Sequence, residues 1–170
     1  MAKLYYTNKK FKHDLSEITR QIALSEFTPN VIIGPGRGAY IMGVMLSHYY
    51  GVPFHGFEWQ TRDHAMIKES TRLETILSKY SSEDILMVDD INDSGKTLTD
   101  IKSVVDKFDR EENNNMFALH EGIKYATLFD KESSNFGDVS FTGNIVTPEE
   151  EKWVVFPYEE WWKYWVQLKV

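Results

Sequence analysis

The stretch Ile85 to Leu98, ILMVDDINDSGKTL, constrains the fold of this chain more than any other. Four consecutive apolar residues, Ile85 to Val88, predict a short strand buried on both faces, of the kind found inside a parallel sheet. Asp89 and Asp90 follow where that strand should end, and Asp93-Ser94-Gly95-Lys96-Thr97 forms a small-residue loop that opens a helix. Open α/β sheets place ligands at this carboxyl edge.

Ser94-Gly95-Lys96-Thr97 ends as a nucleoside-triphosphate P-loop does, but that motif needs a glycine five positions before Gly95, and position 90 is Asp. The stretch offers instead an anion nest. Backbone N–H groups around Gly95, the Ser94 and Thr97 hydroxyls and a helix N-terminus can hold one phosphate. Asp89 and Asp90 beside it suit vicinal hydroxyls, a metal ion, or both. A phosphate next to a diol describes ribose 5-phosphate.

A second loop of this kind lies earlier. Val31-Ile32-Ile33 predicts a short buried strand running into Gly34-Pro35-Gly36-Arg37-Gly38. The three glycines allow close backbone approach to an anion, and Arg37 adds a fork of donors suited to phosphate oxygens. Two anion loops at strand ends imply a ligand with separated phosphates. Ala39 to Tyr50, apolar nearly all round, predicts a buried helix closed by Gly51.

The remaining pattern alternates in the same way. Phe11, Leu15, Ile18, Ile22 and Ala23 predict an amphipathic helix over 13–26, and Val52 to Trp59 predicts another strand. Residues 60–83 are strongly polar, fitting a solvated hairpin or helix. Leu98, Ile101, Val104, Val105 and Phe108 give one apolar helical face, with a loop expected over 109–115. Ile123 to Phe129 predicts a strand ending at Asp130-Lys131. Residues 132–147 read as polar and irregular, and Trp153-Val154 begins a further strand. Tyr158, Trp161, Trp162 and Trp165 share helical spacing, which suits either the core or a subunit interface. No repeat or linker divides the 170 residues. One α/β domain over 1–170, with a mainly parallel twisted sheet flanked by helices, is expected.

Composition narrows the classes. Without cysteine the chain has no disulfide and no thiol nucleophile. A net charge of −7 disfavours general nucleic-acid binding. No stretch approaches the roughly 18 apolar residues of a membrane span and the start lacks an apolar signal core, so a soluble, cytoplasmic protein is expected.

Val88-Asp89-Asp90-Ile91-Asn92-Asp93-Ser94-Gly95-Lys96-Thr97 resembles the phosphoribosyl-pyrophosphate signature of the type I phosphoribosyltransferases: apolar strand, acidic pair, two residues, then Asp-Ser/Thr-Gly-Lys-Thr. The resemblance implies that residues 93–97 hold the 5-phosphate and residues 34–38 the pyrophosphate, although Pro35 departs from a loop that in the family often carries a non-proline cis peptide. It also implies that Asp89 and Asp90 act on the ribose hydroxyls, directly or through Mg²⁺, and that Asp93 serves as general acid/base on the base. A mobile loop over about 59–83 would close the site, with Lys68 or Arg72 reaching the pyrophosphate.

The segment from about 130 to 170 is expected to form the base pocket and a small C-terminal hood. In the 6-oxopurine enzymes, especially the xanthine-guanine type, a lysine contacts the purine oxygen, and an aromatic–aliphatic pair stacks on the ring. Pro, an aromatic residue and an acid follow. Lys131, Trp153, Val154, Pro157, Tyr158 and Glu159 match that order. The expected activity is therefore Mg²⁺-dependent transfer of phosphoribose from phosphoribosyl pyrophosphate to hypoxanthine, guanine or xanthine, with pyrophosphate as product, in a homodimer or higher homo-oligomer. A regulatory protein that binds phosphoribosyl pyrophosphate on the same scaffold, or a transferase for another base, is the alternative.

Overall fold

The apolar run Ile85–Val88 is the first half of a longer strand, Ile85–Asn92, and its residues alternate between two cores. In a computed structural model that describes residues 2–60, 67–80, 84–112 and 122–163, Leu86 and Val88 pack into one apolar cluster and Ile85 and Met87 into another. This is the burial on both faces expected of an interior strand.

The elements in order are β1 (Lys3–Tyr5), α1 (Asn8–Leu24), β2 (Val31–Pro35), α2 (Gly36–Tyr50), β3 (Phe54–Phe57), β4 (Trp59–Gln60), β5 (Ile67–Lys68), α3 (Ser70–Lys79), β6 (Ile85–Asn92), α4 (Lys96–Glu112), β7 (Ile123–Lys131), β8 (Val139–Val146) and β9 (Trp153–Val155). Five strands form one sheet in the order β3-β2-β6-β7-β8, and every pairing in it is parallel. α1 and α2 supply the first core with Phe11, Leu15, Ile18, Ile22, Met42 and Leu46. α3 and α4 supply the second with Leu73, Leu77, Ile101 and Val105. β1 and β9 pair in parallel as a separate two-stranded sheet, and β4 and β5 form a short antiparallel hairpin.

Helix ends follow local chemistry. Thr7 caps α1 by accepting from the Lys10 N–H at 3.2 Å, so the helix begins at Asn8 rather than at 13. Gly51 closes α2 in the left-handed conformation at φ 66°, as its position predicts.

Several expectations are corrected. β6 runs to Asn92 because it pairs with β7 as far as Asp130, so Asp89 and Asp90 lie inside the strand and not beyond it. β2 likewise takes in Gly34 and Pro35. α4 continues through Asp109 to Glu112, where a loop was expected. The polar segment 132–147 contains β8, a full strand of the main sheet. It is an edge strand covered by α1 through polar contacts: Gln21 donates to the Thr142 carbonyl at 2.8 Å and accepts from the Thr142 N–H at 3.0 Å. Asn144 donates to Asp14 at 2.6 Å. Within 59–83, read from its polarity as a hairpin or helix and from the resemblance as a mobile loop, Ser70–Lys79 is a helix with Leu73, Ile76 and Leu77 buried at i, i+3, i+4 spacing. Residues 61–66 and 81–83 lie outside the described residues.

Candidate functional site

The strand order reverses between β2 and β6, since α2 carries the chain from β2 outward to β3 while β6 lies on the other side of β2. Such a reversal opens a crevice at the carboxyl ends of the two strands. A cavity of about 770 Å³ occupies it, lined by Pro35–Gly38 on one side and Asp89–Leu98 on the other. The two anion-loop candidates therefore face each other across the acidic pair. Gly34 is the exception. It lies buried in β2, where an added Cβ would stand 2.5 Å from the Ala39 Cβ, so it serves the packing of α2 on the sheet.

Gly36, Arg37 and Gly38 form the first turn of α2, not a free loop, and their N–H groups belong to a helix N-terminus. Gly38 lets Asp90 approach. A Cβ there would come within 2.4 Å of the Asp90 Oδ2. On the other side, Gly95 has φ 79°, and a Cβ on it would meet the Phe136 N at 2.5 Å. That residue must be glycine on both counts. The Lys96 N–H points at the Ser94 Oγ at 3.4 Å, and Thr99 donates to the Gly95 carbonyl at 2.9 Å as α4 begins.

Asp89 is buried and Asp90 half-buried. The Asp90 N–H donates to the Asp89 Oδ1 at 3.0 Å. Asp93, at the far end of the acidic run, pairs with Lys131 at 2.5 Å, and Glu151 lies 3.8 Å from the same ammonium. Lys131 is only 9% exposed, so its charge is held between carboxylates rather than solvated.

Among the described residues, Glu58, Asp89, Asp90, Asp93 and Glu159 line the cavity together with the cations Arg37 and Lys96. Burial, then the neighbouring Glu58 charge, raises the Tyr40 phenol above its usual value. No group of three or more His, Cys, Asp or Glu among the described residues forms a metal-binding cluster.

The base-side residues divide. Glu159 lines the cavity, and its Oε2 accepts from the Phe156 N–H at 2.9 Å. Trp153 is 51% exposed on β9, and Val154 packs against the first core. Trp153, Val154 and Lys131 stand outside the cavity lining, the last directly behind Asp93. Arg72 is exposed on α3 and lines a different cavity, with His55 and Lys79. Lys68 lies on β5, and its side chain falls outside the described part. The C-terminal aromatics form no continuous helix over 157–162. Tyr158 and Trp162 instead line the cavity, while Trp165 lies outside the described residues.

Two residues have roles that a reading of the sequence does not show. Asn92 is 1% exposed and makes three bonds: it donates to Asp130 at 2.7 Å and to the Phe136 carbonyl at 2.9 Å, and accepts from the Ser134 hydroxyl at 2.8 Å. It thereby ties the turn after β7 to the 93–97 loop, and Asp130, raised by burial, is one of its partners. Its place between the acidic pair and Asp93 was the only signal. The second is Tyr158, whose hydroxyl donates to the Asp90 Oδ2 at 3.0 Å. Burial and then the Asp90 charge push that phenol far above the ordinary tyrosine value, so it stays a proton donor.

Comparison with known proteins agrees with this geometry. The phosphoribosyl transferase domain profile matches residues 1–165. A purine phosphoribosyltransferase from Pyrococcus horikoshii superposes with a TM-score of 0.67 at 24% identity, over 94% of this chain and 96% of that one. A xanthine-guanine-hypoxanthine phosphoribosyltransferase from Helicobacter pylori gives 0.68 at 19%, over 97% and 99%. A hypothetical protein from Neisseria gonorrhoeae with bound ppGpp gives 0.66 at 16%, over 93% and 89%. Among curated protein sequences none matches the chain.

Proposed function

Because the chain belongs to the phosphoribosyl transferase domain family, we propose that it moves the 5-phosphoribosyl group of phosphoribosyl pyrophosphate onto a 6-oxopurine: hypoxanthine, guanine or xanthine. The observation that carries this reading is the meeting of two glycine-bearing helix starts with Asp89 and Asp90 in one cavity, where Asp93 is paired to Lys131.

In the proposed reaction the bond from the anomeric carbon to pyrophosphate breaks and the pair of electrons leaves with pyrophosphate. A purine ring nitrogen forms the new bond to that carbon, and its proton passes to Asp93. The sugar carries positive charge at the transition state, as in glycoside transfer. Asp89 and Asp90 oppose that charge and hold the ribose hydroxyls. Arg37 and the N–H groups of Gly36 and Gly38 take the leaving pyrophosphate. Residues 94–97 anchor the 5-phosphate, far from the breaking bond, and so supply orientation. On the base side Lys131 would offer its ammonium to the purine oxygen, Trp153 and Val154 would form a stacking wall and Glu159 would close the pocket, although of these four Glu159 alone lines the cavity.

Mg²⁺ fits this site as a companion of the substrate. Carboxylates outnumber cations in the described lining, so a polyanionic donor enters best with a counter-cation, and Mg²⁺ is commonly held by one or two carboxylates plus phosphate oxygens. Asp89 and Asp90 are the residues that would hold it, and when bound it would neutralise charge on the leaving pyrophosphate.

A homodimer is part of the proposal. Ile41, Val44, Met45 and Tyr49 are exposed along one face of α2, an apolar stripe that a second copy would cover. A cytoplasmic setting belongs to the same proposal; among the described residues no helix is long and apolar enough to cross a membrane.

The test is product identification. Incubating the protein with phosphoribosyl pyrophosphate, Mg²⁺ and hypoxanthine, guanine, xanthine, adenine, uracil or orotate should yield a nucleoside monophosphate with a 6-oxopurine. A product only with adenine or a pyrimidine refutes the acceptor assignment.

A further inference from the structure

We propose that Tyr158 is a positioning residue of the ribose site, its hydroxyl fixing the Asp90 carboxylate where that carboxylate meets the sugar hydroxyls of the donor. The inference rests on the donor reading above and goes beyond it by assigning a residue of the C-terminal segment to the sugar half of the site.

The contact joins two distant parts of the chain. The Tyr158 hydroxyl donates to the Asp90 Oδ2 at 3.0 Å across a separation of 68 residues. Its ring is not a loose tail group. It stacks on Phe156 at 5.4 Å between centroids and 12° between planes. Phe156 is 4% exposed and packs edge-on against Tyr6 at 5.7 Å and Phe129 at 5.8 Å. The turn that presents the phenol is closed by Glu159, whose N–H donates to the Phe156 carbonyl at 3.0 Å. The hydroxyl is thus delivered from the first core through two stacked rings.

Asp90 is also crowded by the backbone of α2. The Gly38 Cα backs the same Oδ2 so closely that a Cβ would stand 2.4 Å from it. The carboxylate is therefore in close contact with both the first turn of α2 and the phenol, and both restrict its position. A ribose diol needs an acceptor oxygen at a fixed place, because a misplacement of about 1 Å is enough to cost orders of magnitude in rate. Packing alone would be served by phenylalanine, since the stack needs only the ring. The hydroxyl serves Asp90.

A double-mutant cycle decides the matter. The dissociation constant for phosphoribosyl pyrophosphate with Mg²⁺ is measured by calorimetry for the unmodified protein, Tyr158→Phe, Asp90→Ala and the double variant, with KM for the purine measured where there is turnover. Tyr158→Phe should weaken donor binding about tenfold, the scale of a hydrogen bond to a charged group, and leave the purine KM within about twofold. In the Asp90→Ala background the same change should have little effect, because the coupling is gone. Donor affinity unchanged by Tyr158→Phe, or the same loss in both backgrounds, overturns the assignment while leaving the donor reading intact. Failure of the unmodified protein to bind phosphoribosyl pyrophosphate overturns both.

Discussion

Gly38→Ala should inactivate the site without unfolding the protein. Gly38 carries no positive-φ requirement among the described glycines, so the substitution is a test of space alone. A Cβ would lie 2.4 Å from the Asp90 Oδ2, 2.5 Å from its Cγ and 2.8 Å from its Oδ1, and ordinary contact begins at 3.4 Å. The carboxylate must therefore retreat by 3.4 − 2.4 = 1.0 Å. A displacement of that size in a group that orients the reacting sugar lowers kcat/KM on the order of a hundredfold, about 2.7 kcal/mol of transition-state stabilisation. The net cost to folding is about 0.5–2.5 kcal/mol. Alanine in the helical turn gains about 0.5–1 kcal/mol over glycine. Against this stands a strained or lost Tyr158–Asp90 bond, about 1.5–3 kcal/mol for a charged acceptor. Initial rates of purine-dependent pyrophosphate release and a thermal melt, run on the same preparation, separate the two effects. A variant with kcat/KM within about threefold of the unmodified protein would refute the argument that Asp90 must sit against Gly38 to work.

Asp93→Asn should lower kcat by about 10²–10⁴-fold, the range of a general acid–base contribution, while the donor dissociation constant changes little; undiminished turnover removes Asp93 from proton transfer. Trp153→Ala should raise the purine KM and spare donor affinity, and a loss confined to the donor would overturn the stacking assignment. Burial alone would raise the Asp14 carboxyl, but bonds from Lys10, Tyr6, Asn144 and His13 together hold it below its ordinary value. A depressed folded value stabilises above the unfolded value near 3.9 and loses that contribution as pH falls through the folded one. Asp14→Ala should accordingly cost about 3 kcal/mol near neutrality through its unsatisfied partners, and the gap to the unmodified protein should narrow below about pH 4; a gap independent of pH contradicts the charged network.

The signature from Ile85 to Thr97 could be read from sequence because its signals are local: a both-faces-buried run, then acids, a positive-φ glycine and hydroxyls at one strand end. The glycine-rich turn after β2 was legible for the same reason. What stayed hidden depends on partners distant in the chain. β6 reaches Asn92 because β7 pairs with it that far, and no periodicity in Asp89-Asp90 shows this. β8 looked irregular because an edge strand satisfied by Gln21 and Asp14 of α1 needs few apolar residues. Asn92 reads as a spacer until Asp130, Ser134 and Phe136 are brought to it. Tyr158 was read as part of an aromatic series and of the base-pocket order, whereas its bond to Asp90 exists only in the folded chain. Trp153 shows the opposite case. The order of residues after Lys131 points to it, yet its ring is half exposed and outside the cavity lining.

The central claim is that this cavity joins phosphoribosyl pyrophosphate to a 6-oxopurine, and the rate of pyrophosphate release at saturating donor and Mg²⁺, with and without hypoxanthine or guanine, tests it most directly. Release that is slow without a base and rises many-fold with the purine is the predicted result. Tight donor binding with no release in the presence of any base would contradict the claim and identify a protein that senses the donor without transferring it.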